Sequence, residues 1–270
     1  MSVINTNVSA LSAQNALRTN ARSMSTNMEQ LSTGTRVNSA KDDAAGLAIG
    51  QNMTSQVRGL NMAVRNINDG VNMMQTAEGA MIEQTNMLQR MRELAVQASN
   101  GTVSDTQRSY LNTEFQALTS QIGSIASQST WNGTNLMNAT GTFSFQAGAS
   151  SGQTINVVIT SMGTASLGVS TASISSASIA AGAIAKLDTA LNSINSQRAT
   201  IGAGINRMTY SADNMSNIAA NTTASRSTIM DTDYATASTN LAKNQIIQQA
   251  ATAMLAQANQ QPQSVLSLLK

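Results

Sequence analysis

A mainly α fold, a long antiparallel helical bundle with coiled-coil terminal helices and a small β-hairpin region, is predicted by three observations. The first is that Leu60, Ile67, Met74, Met81, Leu88 and Ala95 hold one phase at every seventh residue. Val57, Val64 and Val71 supply the intervening steps of three and four, no proline interrupts residues 57–98, and Gly59, Gly70 and Gly79 stand singly. That run reads as one amphipathic helix with a coiled-coil-like seam, about 60 Å long at its ordinary rise per residue. A stripe of that length cannot be buried in a ball, so helices of similar length must lie beside it. The second observation is composition: hydrophobic residues are 41% of the chain but aromatics only 3%. A core of Leu, Ile, Val, Met and Ala suits helix-on-helix packing. The third is a matching seam far along the chain, where Leu187, Leu191, Ile194, Ile201, Ile205, Met208, Ala212, Met215 and Ala219 keep the same rhythm around a polar Arg198.

Composition also excludes functions. The 270 residues allow one or two domains. A net charge of +2, charged residues at 10% and no basic run give no field that would hold nucleic acid. The chain has no Cys and no His, which removes disulfides, thiolate nucleophiles, Cys-ligated metals and the commonest general base. Without histidine no nucleophile–base pair is arguable, and Lys41, Lys186, Lys243 and Lys270 sit in no recognisable site. The expectation is no enzyme, no cofactor and no metal. No apolar run approaches the roughly 20 residues that span a bilayer, so no membrane partner is expected. The opening MSVINTNVSALSAQ lacks the basic and apolar regions of a Sec-type signal.

Along the chain, residues 3–33 carry a seam of Val3, Ala10, Leu17, Met24 and Leu31, with Ala21 and Met28 on the alternate positions. The other faces are Ser, Asn, Thr and Gln, which give little independent helix stability, and Gly34 is the expected stop. Such a helix either docks on its own domain or orders only on meeting partner chains. Residues 34–56 read as a connector and a short helix, with Asp42 and Asp43 placed to favour a helix N-terminus at Ala44. The long helix closes in LQRMRELAVQAS, where Arg90, Leu94 and Gln97 share a face beside Glu93. Leu94 also continues Met87 and Met91 in the apolar rhythm, so a solvated polar face over a buried Leu is the default. Asn100-Gly101 breaks the helix, and residues 106–129 return antiparallel through Leu111, Phe115, Leu118, Ile122 and Ile125, with Ser104 or Asp105 as N-cap.

No Asp, Glu, Lys or Arg occurs from Phe115 through Ala185. Within that stretch Trp131-Asn132-Gly133-Thr134 signals a turn, and residues 143–145 and 155–159 read as short strands of one or two β-hairpins. Residues 160–178, rich in Ser, Thr, Ala and Gly, read as a connection that needs no packed core. Gly202 and Gly204 weaken the fourth helix by about 1 kcal/mol each against Ala unless close packing requires them. A last Ala/Gln-rich helix follows Asp231 and Asp233, carrying Leu241, Ile247, Met254 and Leu255, then Pro262 and an apolar tail with Leu266 and Leu269. Two seamed helices at opposite chain ends point to end-to-end pairing outside the main bundle.

The segments MSVINTNVSALSAQNAL, LSTGTRVNSAKDDAAGLAIG, LQRMRELAVQAS and LAQANQQPQSVLSLLK resemble bacterial flagellin. With the linking heptads the resemblance covers essentially the whole chain. Only the middle departs, where residues 160–178 take the place of the outer domains many flagellins carry. The resemblance implies an inner terminal coiled-coil domain from 1–44 with 226–270. It also implies an outer helical domain from 45–159 with 179–225, bearing hairpins at about 131–159. It implies a secreted subunit, exported through the flagellar type III apparatus, that polymerises into the extracellular filament used for swimming. Its partners would be other copies of itself, an export chaperone on the C-terminal helix, and the filament cap and hook-junction proteins. Val3, Ala10, Leu17, Met24, Leu31, Leu241, Ile247, Met254, Leu255, Leu266 and Leu269 would be the polymerisation residues. Contacts that do not close a ring generate an open helical polymer, and terminal seams idle in a monomer are suited to make them. The resemblance also implies recognition by Toll-like receptor 5 through Gln89, Arg90, Arg92, Glu93, Leu94, Gln97 and Glu114. The rival readings are a hook-filament junction protein and a secreted coiled-coil effector. A metalloprotease carried in the middle region would need an HExxH helix, which a chain without His cannot form.

Overall fold

The computed structural model describes residues 6–267, with side chains described as far as residue 260. In chain order the elements are α1 (Val8–Thr33), α2 (Ala44–Ser99), α3 (Asp105–Gln128), β1 (Thr130–Trp131), β2 (Thr134–Asn135), β3 (Gly141–Gln146), β4 (Thr154–Ile159), α4 (Ala177–Met230) and α5 (Tyr234–Ser267). They divide into two units: the chain ends up to Ser55 and from Ala220, and residues 56–219 between them.

In the terminal unit Asn7 caps α1, its Oδ1 accepting from the Ala10 N–H at 3.0 Å. Gly34 ends the helix in the left-handed region at φ 72°, the conformation in which glycine pays no Cβ penalty, and its N–H closes on the Gln30 carbonyl. α1 and α5 lie antiparallel, because the Asn7 amide donates to the Ala258 carbonyl at 2.7 Å while the Asn20 amide donates to that of Asn244 at 2.8 Å. Ala10, Ala13, Leu17, Asn20, Met24, Asn27 and Leu31 form the covered seam of α1, and Leu241, Asn244, Gln248, Ala251, Leu255 and Ala258 that of α5. The alternate positions therefore differ from the sequence reading. Ala21 and Met28 face solvent, and Ala13, Asn20 and Asn27 take their place. A heptad seam alternates steps of three and four, and the apolar letters at Ala21 and Met28 select the wrong alternation. Asn20 is tolerated inside because a carbonyl of the partner helix satisfies its amide, a pairing that also fixes register.

The link after α1 is held by the end of α4: the Arg36 N–H donates to the Met230 carbonyl at 2.6 Å and the Thr232 N–H to that of Gly34 at 3.0 Å. Asp42 closes the connector, accepting from the Ser39 N–H and hydroxyl, and that hydroxyl above all holds its carboxyl below the ordinary range. Asp43 caps α2 by accepting from the Gly46 N–H at 2.8 Å, as the acidic pair suggested. The short helix expected before residue 57 is instead the start of α2 itself, since nothing after Ala44 breaks the backbone pattern. Asp233 caps α5, accepting from the Ala235 N–H and from the Thr236 hydroxyl, the main cause of its lowered pKa.

In the central unit α3 and α4 both run antiparallel to α2. Gln84 of α2 reaches the Ile122 carbonyl of α3, Arg90 meets Glu114, and on the other side Glu78 and Arg92 meet Arg198 and Asp188 of α4. The seam residues Ile67, Met74, Met81 and Leu88 are fully buried among Phe115, Ile122, Leu187, Ile194, Ile201 and Met208. Ser104 opens α3 in a capping box with Gln107. The buried Arg108 side chain turns back to donate to the Ala98 and Asn100 carbonyls, closing the end of α2. Trp131 pairs with Thr134 across Asn132 and Gly133, both at positive φ (47° and 79°), as a two-residue hairpin turn demands. β3 and β4 pair in register Phe143↔Val157 and Phe145↔Ile155, with Ile155, Val157 and Ile159 buried and their neighbours exposed.

Residues 160–178 correct the expectation of a connection without a core. Met162, Leu167, Val169, Ala172 and Ile174 are buried. Gln116 of α3 donates to the Ala172 carbonyl at 2.8 Å, and Asn112 accepts from the Ile174 N–H at 3.0 Å. The segment is irregular but packed, its backbone satisfied by turns of its own, such as Leu167 N–H to the Gly163 carbonyl, and by these two side chains of α3 rather than by a ladder.

Candidate functional site

One candidate surface lies on the central unit, where α2 presents its last polar turns. Gln89, Arg90, Arg92, Glu93 and Gln97 are all exposed there, and Glu114 joins them from α3. The arginines are held in place. The Arg90 guanidinium donates through Nε to Glu114 at 2.9 Å and through Nη1 to Glu93 at 3.0 Å. These bonds, that to Glu114 first, push its pKa further up. Arg92 donates to Asp188 of α4 at 2.7 Å, with the same consequence for its pKa. Gln89, Arg92, Glu93, Val96 and Gln97 line one shallow groove on this face. The arrangement offers a guanidinium oriented by two carboxylates, amides and one apolar Val at its rim, a chemistry of protein recognition and not of catalysis.

Leu94 does not belong to this face. It is 1% exposed and sits in the core with Met91 and Ala95, so in this chain it supports the surface from beneath. The apolar rhythm through Met87 and Met91 already carried that outcome. Asp188, by contrast, carries no signal in the residues around it. It lies 96 residues from Arg92 and faces it only because α2 and α4 are antiparallel.

The second candidate surface is the α1–α5 pair. Of the residues expected to drive assembly, Ala10, Leu17, Met24, Leu31, Leu241 and Leu255 are partly covered in the seam within the chain, while Ile247 and Met254 are exposed. Val3 and Leu269 lie outside the described residues, as does the side chain of Leu266. Beside Ile247 and Met254, the pair also exposes Val8, Leu11, Met28 and Ile246. Among the described residues no group of three or more acidic, His or Cys side chains could hold a metal. No described helix is long and apolar enough to cross a membrane.

Residues 4–142 match the bacterial flagellin N-terminal helical region, and residues 184–269 the bacterial flagellin C-terminal helical region. Flagellin of Bacillus subtilis strain 168 is 41% identical over 302 positions, covering 99% of both chains. The flagellar filament 33 kDa core protein of Treponema phagedenis is also 41% identical, over 287 positions, with 99% of this chain and 100% of that protein covered. Flagellin A of Vibrio cholerae serotype O1 aligns at 36% identity over 375 positions, again covering 99% of both chains. The crystal structure of Bacillus cereus flagellin superposes with a TM-score of 0.50 at 30% identity, over 56% of this chain and 88% of that one. The chain therefore belongs to the bacterial flagellin family, a family of structural filament subunits and not of enzymes.

Proposed function

We propose that this chain polymerises through its paired terminal helices into the extracellular filament that drives swimming. The observation that carries the reading is the apolar set Val8, Leu11, Met28, Ile246, Ile247 and Met254, left uncovered on a pair whose own apolar seam residues are only partly covered. Covering these side chains between copies would remove apolar surface from water, and a heterologous contact between copies gives an open helical polymer. In this reading the seam pairs the two helices within the chain, and the exposed apolar side chains add contacts between chains. Type III export, the chaperone on α5, and contacts with cap and hook-junction proteins belong to the same reading and rest on family membership. The direct test is assembly of purified protein lacking residues 1–33 or 241–270. Both truncations are expected to stay soluble, keep a helical central unit and form no fibres under conditions where the full chain does. Fibres from either would overturn the proposal.

The monomer is also read as a ligand of Toll-like receptor 5, contacted through Gln89, Arg90, Arg92, Glu93, Gln97 and Glu114. The orientation of Arg90 by Glu114 and Glu93 supports this, because an arginine whose geometry is already set loses less freedom on binding. Arg90→Ala monomer should lose roughly tenfold or more in potency on reporter cells, as anchor arginines do. Unchanged potency would remove the claim. Leu94→Ala is a poor probe, since it opens a core cavity and its effect would report on folding.

A further inference from the structure

We infer that Asn132 is a site of spontaneous covalent ageing, at which the side-chain amide is converted to a carboxylate within the hairpin turn. Two Asn-Gly pairs occur at exposed turns, Asn100-Gly101 and Asn132-Gly133, and their surroundings differ. Asn100 is tied down: its Oδ1 accepts from the Thr102 N–H, and its carbonyl accepts from the Val103 N–H and from Arg108. The side chain of Asn132 makes no hydrogen bond within the described residues, and the Gly133 N–H is likewise uncommitted. Space around Gly133 is open, with nothing within 4 Å of where a Cβ would stand, so no side chain shields the nitrogen.

The chemistry needs only these two residues and water. The Gly133 backbone nitrogen attacks the Asn132 side-chain carbonyl carbon. A new C–N bond closes a five-membered imide, the bond from that carbon to Nδ2 breaks, and the nitrogen leaves as ammonia with the proton from Gly133. Water then adds to one imide carbonyl and opens the ring, giving aspartate or, through the other carbonyl, isoaspartate. One water is consumed and one ammonia released. A two-residue turn with both φ positive must open before the nitrogen can reach the side chain. Asn135 and Leu136 anchor the base of the hairpin through the Ala126, Ser127 and Ser129 carbonyls, but the tip at Asn132-Gly133 is exposed beyond a ladder of two residues in each strand, so opening is needed only there.

The products matter for two reasons. The carboxylate would be the only ionisable side chain between Glu114 and Lys186, lowering the formal net charge from +2 by one. Aspartate still tolerates the left-handed region, but isoaspartate adds a backbone atom to a turn without slack and should release the Trp131–Thr134 pairing. Folded full-length protein is incubated at mildly alkaline pH, with peptide mass mapping and an isoaspartyl methyltransferase assay over time. Asn132 is expected to convert several-fold faster than Asn100, producing an acidic band on isoelectric focusing that Asn132→Asp protein shows from the start. The same chain in denaturant should lose the difference between the two sites. Conversion at Asn100 equal to or faster than Asn132 in the folded protein, or an Asn132 that keeps its amide while the denatured control converts, would overturn the inference.

Discussion

Replacing Ile246 and Met254 together by lysine is expected to abolish fibre growth while leaving the helix content and unfolding midpoint of the monomer nearly unchanged. Ile246 is 66% and Met254 67% exposed on α5, so each loses little burial when replaced. Exposed substitutions of this kind usually shift stability by no more than about 0.5 kcal/mol. In a contact between copies the same positions would be buried. An unpaired ammonium there costs several kcal/mol after relaxation, and every added subunit would incur that cost again. Light scattering and electron microscopy measure growth, and circular dichroism follows the monomer. Fibres of normal length from the double variant would show that the outer stripe of α5 is not the contact surface.

Substitutions in the inner seam should behave in the opposite way. Leu17 and Leu255 are partly covered in the α1–α5 seam, and Asn20 carries the hydrogen bond that sets register. Shortening them disturbs the pair before any second copy is met. The two faces of one helix pair thus separate folding from assembly. That separation follows from geometry alone, because a heptad seam uses only two of its seven positions.

Most of the fold was legible because its signals are local and periodic. The runs from Leu60 to Ala95 and from Leu187 to Ala219 become the buried stripes of α2 and α4, and Ser104 becomes the cap of α3 through a Gln three residues on. The Asn-Gly turn and the alternation of Ile155, Val157 and Ile159 became hairpins for the same reason. What escaped depends on contacts between distant residues. The packing of Met162, Leu167, Val169 and Ile174 has no period, and exists because Asn112 and Gln116 of α3 satisfy the irregular backbone. The polar positions of the α1 seam were hidden because an Asn reads as surface until a carbonyl of α5 is placed opposite it. On the polar face of α2 and α3, Gln89, Arg90, Arg92, Glu93, Gln97 and Glu114 are exposed. Leu94, which lies beneath, was legible from the apolar rhythm of Met87 and Met91, whereas Asp188 was not, because it arrives from another helix.

Gly70→Val should strongly destabilise the buried contact between α2 and the β3–β4 hairpin, while Gly202→Ala on α4 should stabilise. In isolation both replace a helix-weakening glycine, worth about 1 kcal/mol against Ala and less against Val. Packing decides the sign. A Cβ on Gly202 would meet nothing within 4 Å, so the propensity gain stands. A Cβ on Gly70 would lie 2.7 Å from Phe145 Cδ1 and 2.9 Å from Cε1. That ring belongs to β3, paired opposite Ile155, so it can yield by turning outward or by lifting the hairpin from the helix, each at the expense of packing. Overpacking of this kind costs about 3 kcal/mol at its upper range, and Val adds two γ-methyls beyond the Cβ that already collides. Gly204 on α4 has the same function beneath the hairpin's other strand, where a Cβ would meet Val157 Cγ2 at 2.9 Å. The β3–β4 hairpin thus sits on two glycine platforms. Urea unfolding of the full chain should show the Gly70→Val midpoint well below and the Gly202→Ala midpoint above the parent, with Gly204→Val shifted in the same direction as Gly70→Val. A Gly70→Val protein as stable as the parent would mean that the ring can move aside without cost, and that the hairpin is not fixed by this close approach.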